Sequence, residues 1–149
     1  MRATVQDNVE TYQRVLEAFN RDGVEGVLPY MSEDVEVYDP DLPPAAYRGH
    51  AGIRQVAGQL MSGFEDVEIQ EFRLHPSGDR VVALLRTRGW GERNDLEIEM
   101  RDAHTVTFRD GKIVHWRLYL DQGEALADAG LDPALASAKV AGGPPRDSA

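Results

Sequence analysis

One stretch of the sequence reads Leu96-Glu-Ile-Glu-Met-Arg-Asp-Ala-His-Thr-Val-Thr-Phe108 and alternates as a half-buried β-strand does. Successive side chains in a strand point to opposite faces, so the even-numbered residues share one face. That face is apolar except for Asp102 and His104. Burying these two groups without partners is costly. The pattern therefore predicts either a paired structural group or the polar floor of a ligand pocket, unless a β-bulge turns one of the two outward.

The composition indicates one domain and excludes several classes of function. The chain has 149 residues, 42% of them hydrophobic, and a formal net charge of −10. The negative charge argues against nucleic acid and anionic membrane surfaces, which attract clustered lysine and arginine. The absence of cysteine excludes disulfides and thiolate metal sites. Neither a signal-sequence pattern nor a membrane-spanning apolar run is present, so we expect a cytoplasmic protein that does not enter the membrane.

Hydrophobic periodicity predicts helices in the first part of the chain and strands in the second. The Asp110-Gly111 pair between two alternating segments is a strong hairpin signal. Such an order predicts an α+β fold, in which three amino-terminal helices pack on a strongly curved, mostly antiparallel sheet around a pocket. We expect a single domain over residues 1–131 and a flexible tail over residues 132–149, which are rich in Ala, Gly, Pro and Ser. The predicted elements are helices at 5–21, 24–31 and 124–129, a further helix that follows Arg48-Gly49 and carries the apolar residues from Ile53 to Phe64, and strands at 35–38, 67–74, 80–90, 96–109 and 113–121, with a turn at 32–34.

Four local motifs in the same order carry a family resemblance: Ala18-Phe-Asn-Arg-Asp-Gly23, Glu33-Asp-Val-Glu-Val-Tyr-Asp-Pro40, Tyr47-Arg-Gly-His-Ala-Gly-Ile-Arg54 and Phe108-Arg-Asp-Gly-Lys-Ile-Val-His-Trp-Arg117. With them the chain resembles the SnoaL-like branch of the nuclear transport factor 2-like superfamily over nearly all of residues 5–131. The resemblance implies a cone-shaped α+β fold. The superfamily includes ketosteroid isomerases, polyketide cyclases, limonene epoxide hydrolase, dehydratases and non-catalytic binding proteins, so the fold alone does not define the function.

At the positions of the three catalytic residues of ketosteroid isomerases, this chain has the same residue once and a different residue twice. Their general base is an Asp directly before Pro, which matches Asp39-Pro40. Their tyrosine position is similar to Val15, with Tyr12 one turn away, and their acid position is similar to His104. A histidine can still donate a hydrogen bond to a developing oxyanion. The alternative for Asp39 is a turn residue that accepts local backbone hydrogen bonds.

Two other branches give further candidates. The last strand resembles the Trp-Arg-x-Tyr-x-Asp stretch of limonene epoxide hydrolases, but Leu118 stands where they have an acid, so epoxide opening is not expected. SnoaL-type polyketide cyclases use an acid–histidine pair, for which Asp102, His104 and Asp121 are the candidates in this chain. Asp121 has the alternative role of capping the last helix. If Asp102 and His104 touch, we expect their attraction to outweigh desolvation and to favour the imidazolium.

These comparisons define a candidate site and two classes of function. We expect a cofactor-independent isomerase, cyclase or dehydratase acting on a small apolar oxygenated molecule, or else a non-catalytic binding or accessory dimer with a vestigial pocket. No metal site is expected, because the histidines are scattered. A homodimer is expected through the outer sheet face at His115, Arg117 and Tyr119. The candidate catalytic residues are Asp39, Asp102, His104 and Asp121, and the candidate pocket residues are Tyr12, Val15, Val56, Leu60, Trp90, Trp116 and Leu118, with Trp90 at the mouth or in the dimer face.

Overall fold

The computed structural model describes residues 4–91 and 97–136. It contains an amino-terminal helical region, a mixed sheet and a short carboxy-terminal helix. Single 3-10 turns at Leu28–Tyr30 and Pro133–Ala136 complete it. The helices are α1 (Val5–Asp22), α2 (Val24–Val27), α3 (Gly49–Leu60) and α4 (Gln122–Asp128), and the strands are β1 (Met31–Tyr38), β2 (Ala46–Arg48), β3 (Phe64–Ser77), β4 (Arg80–Gly91), β5 (Glu97–Arg109) and β6 (Lys112–Tyr119).

Helix α1 forms where the sequence places both a start signal and an apolar stripe. The Thr4 hydroxyl accepts a hydrogen bond from the Asp7 backbone N–H at 3.0 Å, and the Asp7 carboxylate accepts one from the Thr4 N–H at 3.0 Å. This capping box satisfies two donors that the first helical turn leaves free. The helix ends at Gly23, whose φ of 73° is in the left-handed region that glycine adopts without strain. The predicted first helix is therefore confirmed.

The six strands form one curved, unclosed sheet in the order β2-β1-β6-β5-β4-β3. Neighbouring strands are antiparallel except for β1 and β6, which are parallel. Helices α1 and α3 contact this sheet, and their apolar side chains share one core with its inner face. The predicted α+β architecture, with three early helices on a mostly antiparallel sheet, is confirmed.

Strand β5 keeps the alternation that the sequence predicts. Its pairing with β4 runs without a shift from Arg80 opposite Thr107 to Trp90 opposite Glu97. Because no bulge interrupts this register, Asp102 and His104 stay on the inner face of the sheet. Leu96, the first residue of the predicted strand, lies outside the described residues.

The amino-terminal strands differ from the prediction. The turn predicted at residues 32–34 is wrong, since these polar residues belong to β1. Strand β1 pairs Met31 with Ile113 and then Glu36 with His115, and the irregular register between these pairs accommodates the polar stretch. Strand β2 was not predicted, because three residues are too short to show an alternation. Phe64, expected in the third helix, instead begins β3.

The outer face of the sheet carries a second, smaller core beneath α4. Ala125 and Leu126 of α4 are fully buried there, against Ala103 and other residues of the central strands. Leu135 of the last 3-10 turn also packs on this cluster. Ordered structure thus continues past residue 131, where we expected the tail to begin, and the rest of the predicted tail lies outside the described residues. No helix in the described ranges is long and apolar enough to cross a membrane.

Candidate active site

A cavity of about 190 Å³ lies between the inner face of the sheet and the helices. Its wall is apolar over most of its area. Leu60 and Leu120 line it while 39% and 65% exposed, so they mark its mouth. The cavity brings together eight of the predicted site residues: Tyr12, Val15, Val56, Leu60, Asp102, His104, Trp116 and Leu118.

The cavity's polar groups include a hydrogen-bonded chain of three rings. The Tyr12 hydroxyl lies 2.8 Å from Nδ1 of His104, and the Trp116 indole N–H donates to the same hydroxyl at 3.3 Å. Tyr12 is 1% exposed, and its ring meets the His104 ring edge-on. The rings of His104 and Trp116 lie 4.7 Å apart. These contacts fix the orientation of the imidazole.

The chain of donors also defines the tautomer of His104. An indole N–H can only donate, so the Tyr12 oxygen accepts from Trp116. Among the described residues, Nδ1 of His104 is the one acceptor within hydrogen-bond distance of the Tyr12 hydroxyl, so we assign the phenol proton to that bond. A neutral imidazole that accepts at Nδ1 carries its proton on Nε2. His104 therefore offers an N–H donor to a ligand in the cavity.

Burial sets the protonation state of this chain. Desolvation lowers the pKa of His104 to about 3, so the ring is neutral at physiological pH. Desolvation also raises the pKa of Tyr12 above its usual value, opposed by the hydrogen bond from Trp116. Both side chains are neutral at pH 7.

Asp102 is the acidic group of the cavity. Burial raises its pKa to about 6, although hydrogen bonds from its own backbone N–H and from the Thr87 side chain act in the opposite direction. The Thr87 hydroxyl donates to Oδ1 at 3.3 Å. A carboxyl group with a pKa near neutrality in an apolar cavity is suited to proton transfer.

Asp102 and His104 share a face but not a hydrogen bond. Among the described residues, the side-chain partner of Asp102 is Thr87 and that of His104 is Tyr12. The expected attraction was conditional on contact, and without contact desolvation dominates the pKa of His104. Asp102 and His104 therefore lack the contact on which the expected ion pair depended.

Asp39, the candidate that matches the general base of ketosteroid isomerases, is not among the residues that line the cavity. It follows β1, and its Oδ1 accepts a hydrogen bond from the Asp41 backbone N–H at 3.0 Å. Its own N–H donates to the Ala45 carbonyl at 2.8 Å, so the loop folds back over it and leaves it 1% exposed. Burial raises the pKa of Asp39. The structure gives this residue the local turn contacts that were the alternative to a catalytic role.

Asp121 and Trp90 also lie away from the cavity. The Asp121 carboxylate accepts from the Glu124 backbone N–H at 2.9 Å and caps α4, as its alternative role predicts. Trp90 lines a separate surface cleft with Glu65 and Asp66. Even-numbered residues of β4, such as the buried Leu84, face the outer side, so Trp90 does not line the cavity, and its alternative placement in a dimer face stays a prediction.

Two polar residues near the site were missed from the sequence. Thr87 follows Leu85 in the inward alternation of β4, so strand parity contained a signal for it. Gln122 donates from its side-chain amide to the carbonyls of Leu85 and Asp102, at 3.1 and 3.0 Å. It anchors the start of α4 to the backbone of the residue that carries the carboxyl group, and no local pattern announces that contact.

The outer face leaves less room for a dimer contact than expected. Tyr119 is 6% exposed and donates to the Asp128 carboxylate at 2.8 Å, so α4 already covers it. His115 lies 2.9 Å from the Glu36 carboxylate. Within the described residues, no group of three or more His, Cys, Asp or Glu side chains is arranged to hold a metal ion.

Comparison with known proteins agrees with this architecture. A "TerC" structure co-crystallised with polyporic acid is 24% identical, with a TM-score of 0.65 over 75% of this chain and 89% of that chain. A nuclear transport factor 2-like protein from Burkholderia xenovorans LB400 is 27% identical, with a TM-score of 0.62 over 85% and 97% of the two chains. A putative polyketide cyclase from Xanthomonas campestris is 22% identical, with a TM-score of 0.68 over 83% and 97%.

Sequence comparison with curated proteins finds no match. The family model for the SnoaL-like domain, in contrast, matches residues 12–116. That range contains the polar cavity residues described above: Tyr12, Thr87, Asp102, His104 and Trp116. The chain therefore belongs to the SnoaL-like family, whose members share the nuclear transport factor 2-like fold.

Proposed function

We propose that this protein is a cofactor-independent acid–base enzyme that moves a proton on a small, apolar carbonyl compound. The observation that carries the proposal is that two different titratable groups lie two residues apart on the inner face of β5. Asp102 has a pKa raised to about 6, and His104 is kept neutral by a pKa of about 3. Groups whose environments separate their pKa values are suited to distinct acid and base roles.

Asp102 acts as the base in this mechanism. Its carboxylate removes a proton from the carbon next to the substrate carbonyl, the C–H electron pair moves into the carbonyl, and an enolate forms. The protonated carboxyl then returns the proton to the same or a neighbouring carbon. A pKa close to neutrality supports both steps, since the group must accept the proton and release it.

His104 stabilises the enolate oxygen. Its Nε2–H donates a hydrogen bond to the carbonyl, and the bond strengthens as negative charge develops there. Tyr12 holds the ring through Nδ1 at 2.8 Å and so preserves the donor at Nε2. Residues two apart in a strand are separated by about 7 Å, a distance that one small substrate can bridge.

The family relationship supports a small-molecule ligand. The related TerC protein was co-crystallised with polyporic acid, which supports an organic ligand in this fold and does not define the charge of the ligand of this chain. Enolisation is a step that isomerases, cyclases and some dehydratases have in common, so the proposed chemistry fits each of these reaction types.

Deuterium exchange into a model ketone tests the proposal. The probe is 2-tetralone in D₂O, and loss of its α-proton signal is followed by NMR. The parent protein should accelerate exchange, and Asp102→Asn should lower that acceleration by about 10²–10⁴-fold. Glu99→Gln is the matched control, because it makes the same chemical change on the exposed face of the same strand. Exchange no faster than in buffer, or undiminished in Asp102→Asn, would contradict an enzyme of this type.

A non-catalytic binding protein is the second candidate. It is supported by the hydrogen bonds that the polar groups of the cavity already make with one another. Tyr12 is bonded to both His104 and Trp116, and Thr87 is bonded to Asp102. Saturable binding of 2-tetralone without exchange would favour this candidate over the enzyme.

Two further expectations, a homodimer and a cytoplasmic location, remain proposals. The dimer is supported by Arg117, a partly buried cation stacked between the rings of Tyr38 and Tyr119 at 4.9 and 4.3 Å. Its Nε has no hydrogen-bond partner among the described residues. Because this Nε is buried, a second copy would have to contact the outer guanidinium nitrogens of Arg117, on the sheet face that also carries the half-exposed His115. Light scattering should then give twice the 16.5 kDa chain mass, and Arg117→Glu should shift the protein to monomer. A monomeric parent would rule out the dimer.

A further inference from the structure

Among the described residues, the cavity wall has one group that can be charged at neutral pH, and its charge is negative. No lysine or arginine of the described residues lines the cavity, and Asp102 is the single acidic residue among its lining side chains. The other titratable lining groups are Tyr12 and His104, and burial keeps both neutral. Any charge that the wall presents to a ligand is therefore the negative charge of Asp102.

No cation compensates this charge in the described part of the chain. The groups that influence the Asp102 carboxyl are its own backbone N–H and the Thr87 hydroxyl, and both are neutral. The carboxylates Glu71, Glu97 and Glu99 on the outer face, in contrast, all lie within ion-pair distance of an arginine. An uncompensated charge inside an apolar wall acts on a ligand with little screening by solvent.

We infer that this cavity admits uncharged ligands and rejects anionic ones, and that the Asp102 carboxylate is the group that rejects them. The inference rests on the proposed function and specifies its substrate class: an uncharged ketone with one or two rings. The cavity of about 190 Å³ exceeds the volume of about 150 Å³ that accommodates benzene. The reaction that supplies this substrate must leave no free carboxylate, phosphate or sulfate on the part of the molecule that enters the cavity.

Two ligands of nearly equal shape test this selectivity. Methyl 2-naphthyl ketone and 2-naphthoate share the ring system and the carbonyl carbon, and differ by a methyl group in place of a charged oxygen. Affinities are measured by equilibrium dialysis at pH 7.5. The NMR signal of the Trp116 indole N–H reports whether each ligand sits in the cavity, since Trp116 lines it.

The parent protein should bind the ketone about 20-fold more tightly than the anion. Two like charges about 7 Å apart at an effective dielectric constant of about 20 disfavour the anion about 50-fold, and protonation of Asp102, whose pKa is about 6, lowers this effect at pH 7.5. Asp102→Asn should raise the affinity for 2-naphthoate about tenfold or more and leave the affinity for the ketone within about threefold. Glu99→Gln, the outer-face control, should change neither affinity because its carboxylate is paired with Arg86.

Equal binding of the two ligands by the parent would overturn the inference, as would failure of the ketone to bind. An unchanged 2-naphthoate affinity in folded Asp102→Asn would also overturn it. If the variant does not fold, the parent is compared at pH 5.5 and pH 7.5: protonation of Asp102 should raise the affinity for 2-naphthoate at the lower pH, whereas desolvation of the anion alone would leave it unchanged. No turnover is involved, so a parent that discriminates between the ligands but does not catalyse exchange would refute the proposed enzyme and leave the selectivity standing.

Discussion

The two faces of β5 treat charge in opposite ways. On the outer face, Glu97 and Glu99 lie within 2.6 and 3.7 Å of arginine nitrogens on β4, and these side chains are partly exposed. Exposed pairs of this kind contribute about 0–1 kcal/mol each. On the inner face, Asp102 and His104 have no charged partner among the described residues, and burial displaces both pKa values toward the neutral form. One strand thus has a solvated face, on which the charges are paired, and a buried face, on which an unpaired carboxyl group destabilises the folded state.

This difference indicates where stability has been given up. A buried carboxylate without a cation destabilises the folded state, and such a group is typically found where function requires it. The hydroxyl of Thr87 and the amide of Gln122 support Asp102, through the carboxylate and the backbone carbonyl respectively. Replacing equivalent residues on the two faces should therefore have unequal effects.

The largest difference should be found in the pH dependence of stability. In the unfolded chain the Asp102 carboxyl holds its proton only below its ordinary pKa of 3.8, but in the folded protein it holds the proton up to about 6. Between these values the folded state binds more protons, so stability falls as the pH rises and the loss is complete above about pH 6. This displacement corresponds to about 3 kcal/mol.

Asp102→Asn has no such titration. The difference in the free energy of unfolding, Asp102→Asn minus parent, should therefore increase by about 3 kcal/mol as the pH rises from 4 to 8. Urea denaturation measures this difference at each pH. His104 has the opposite pH dependence, since its pKa is lowered, but it contributes equally to both proteins and cancels in the difference. Glu99→Gln is the matched control, because it makes the same chemical change on the exposed face of the strand. A constant difference for Asp102→Asn would mean that the carboxyl is hydrated.

The inner placement of Asp102 and His104 could be predicted because a strand without bulges encodes direction in the parity of residue numbers. The same parity would have placed Trp90 on the outer face, had it been applied to β4. The partner of His104 was out of reach, because Tyr12 lies 92 positions away and only the packing of α1 on the sheet joins them.

Asp39 and Asp121 show a different limit of sequence reasoning. An Asp before Pro, or at the end of a strand, fits both a catalytic acid and a local cap, since both uses need a short carboxylate beside a turn. In the structure, the backbone N–H groups of Asp41 and Glu124 each donate to one oxygen of these carboxylates, as they do to a local cap. The overall fold was more predictable, because several periodic segments in a fixed order define it jointly.

A second comparison uses two of the buried tyrosines, Tyr12 on the inner side of the sheet and Tyr119 on its outer face. Tyr12→Phe removes the partner of both His104 and the Trp116 indole inside the apolar cavity, and should lower the free energy of unfolding by about 2 kcal/mol. Tyr119→Phe removes one bond to Asp128, which is exposed and can be rehydrated, and should cost about 1 kcal/mol. Urea denaturation at pH 8 measures both. Equal losses would indicate that water reaches the inner network.

The smallest expected difference concerns two buried threonines on opposite faces. Thr87, 6% exposed, donates to the Asp102 carboxylate, whereas Thr105, 9% exposed, has a hydroxyl without a hydrogen-bond partner among the described residues. At pH 8, Thr87→Val should cost about 1.5 kcal/mol and raise the pKa of Asp102, because the charged form loses a donor. Thr105→Val keeps the shape and removes an unsatisfied hydroxyl, so it should be neutral or stabilising by about 0.5 kcal/mol.

Thr87→Ser is the conservative control for the inner position, because it retains the hydroxyl that Asp102 accepts from. Urea denaturation gives the stability of all three variants, and a ¹³C titration of the carboxyl groups gives the pKa of Asp102 in each. The pKa should stay near the parent value in Thr87→Ser and Thr105→Val and rise in Thr87→Val alone. A pKa that is the same in all of them would mean that the 3.3 Å contact does not act on the carboxylate, and that burial alone sets its protonation.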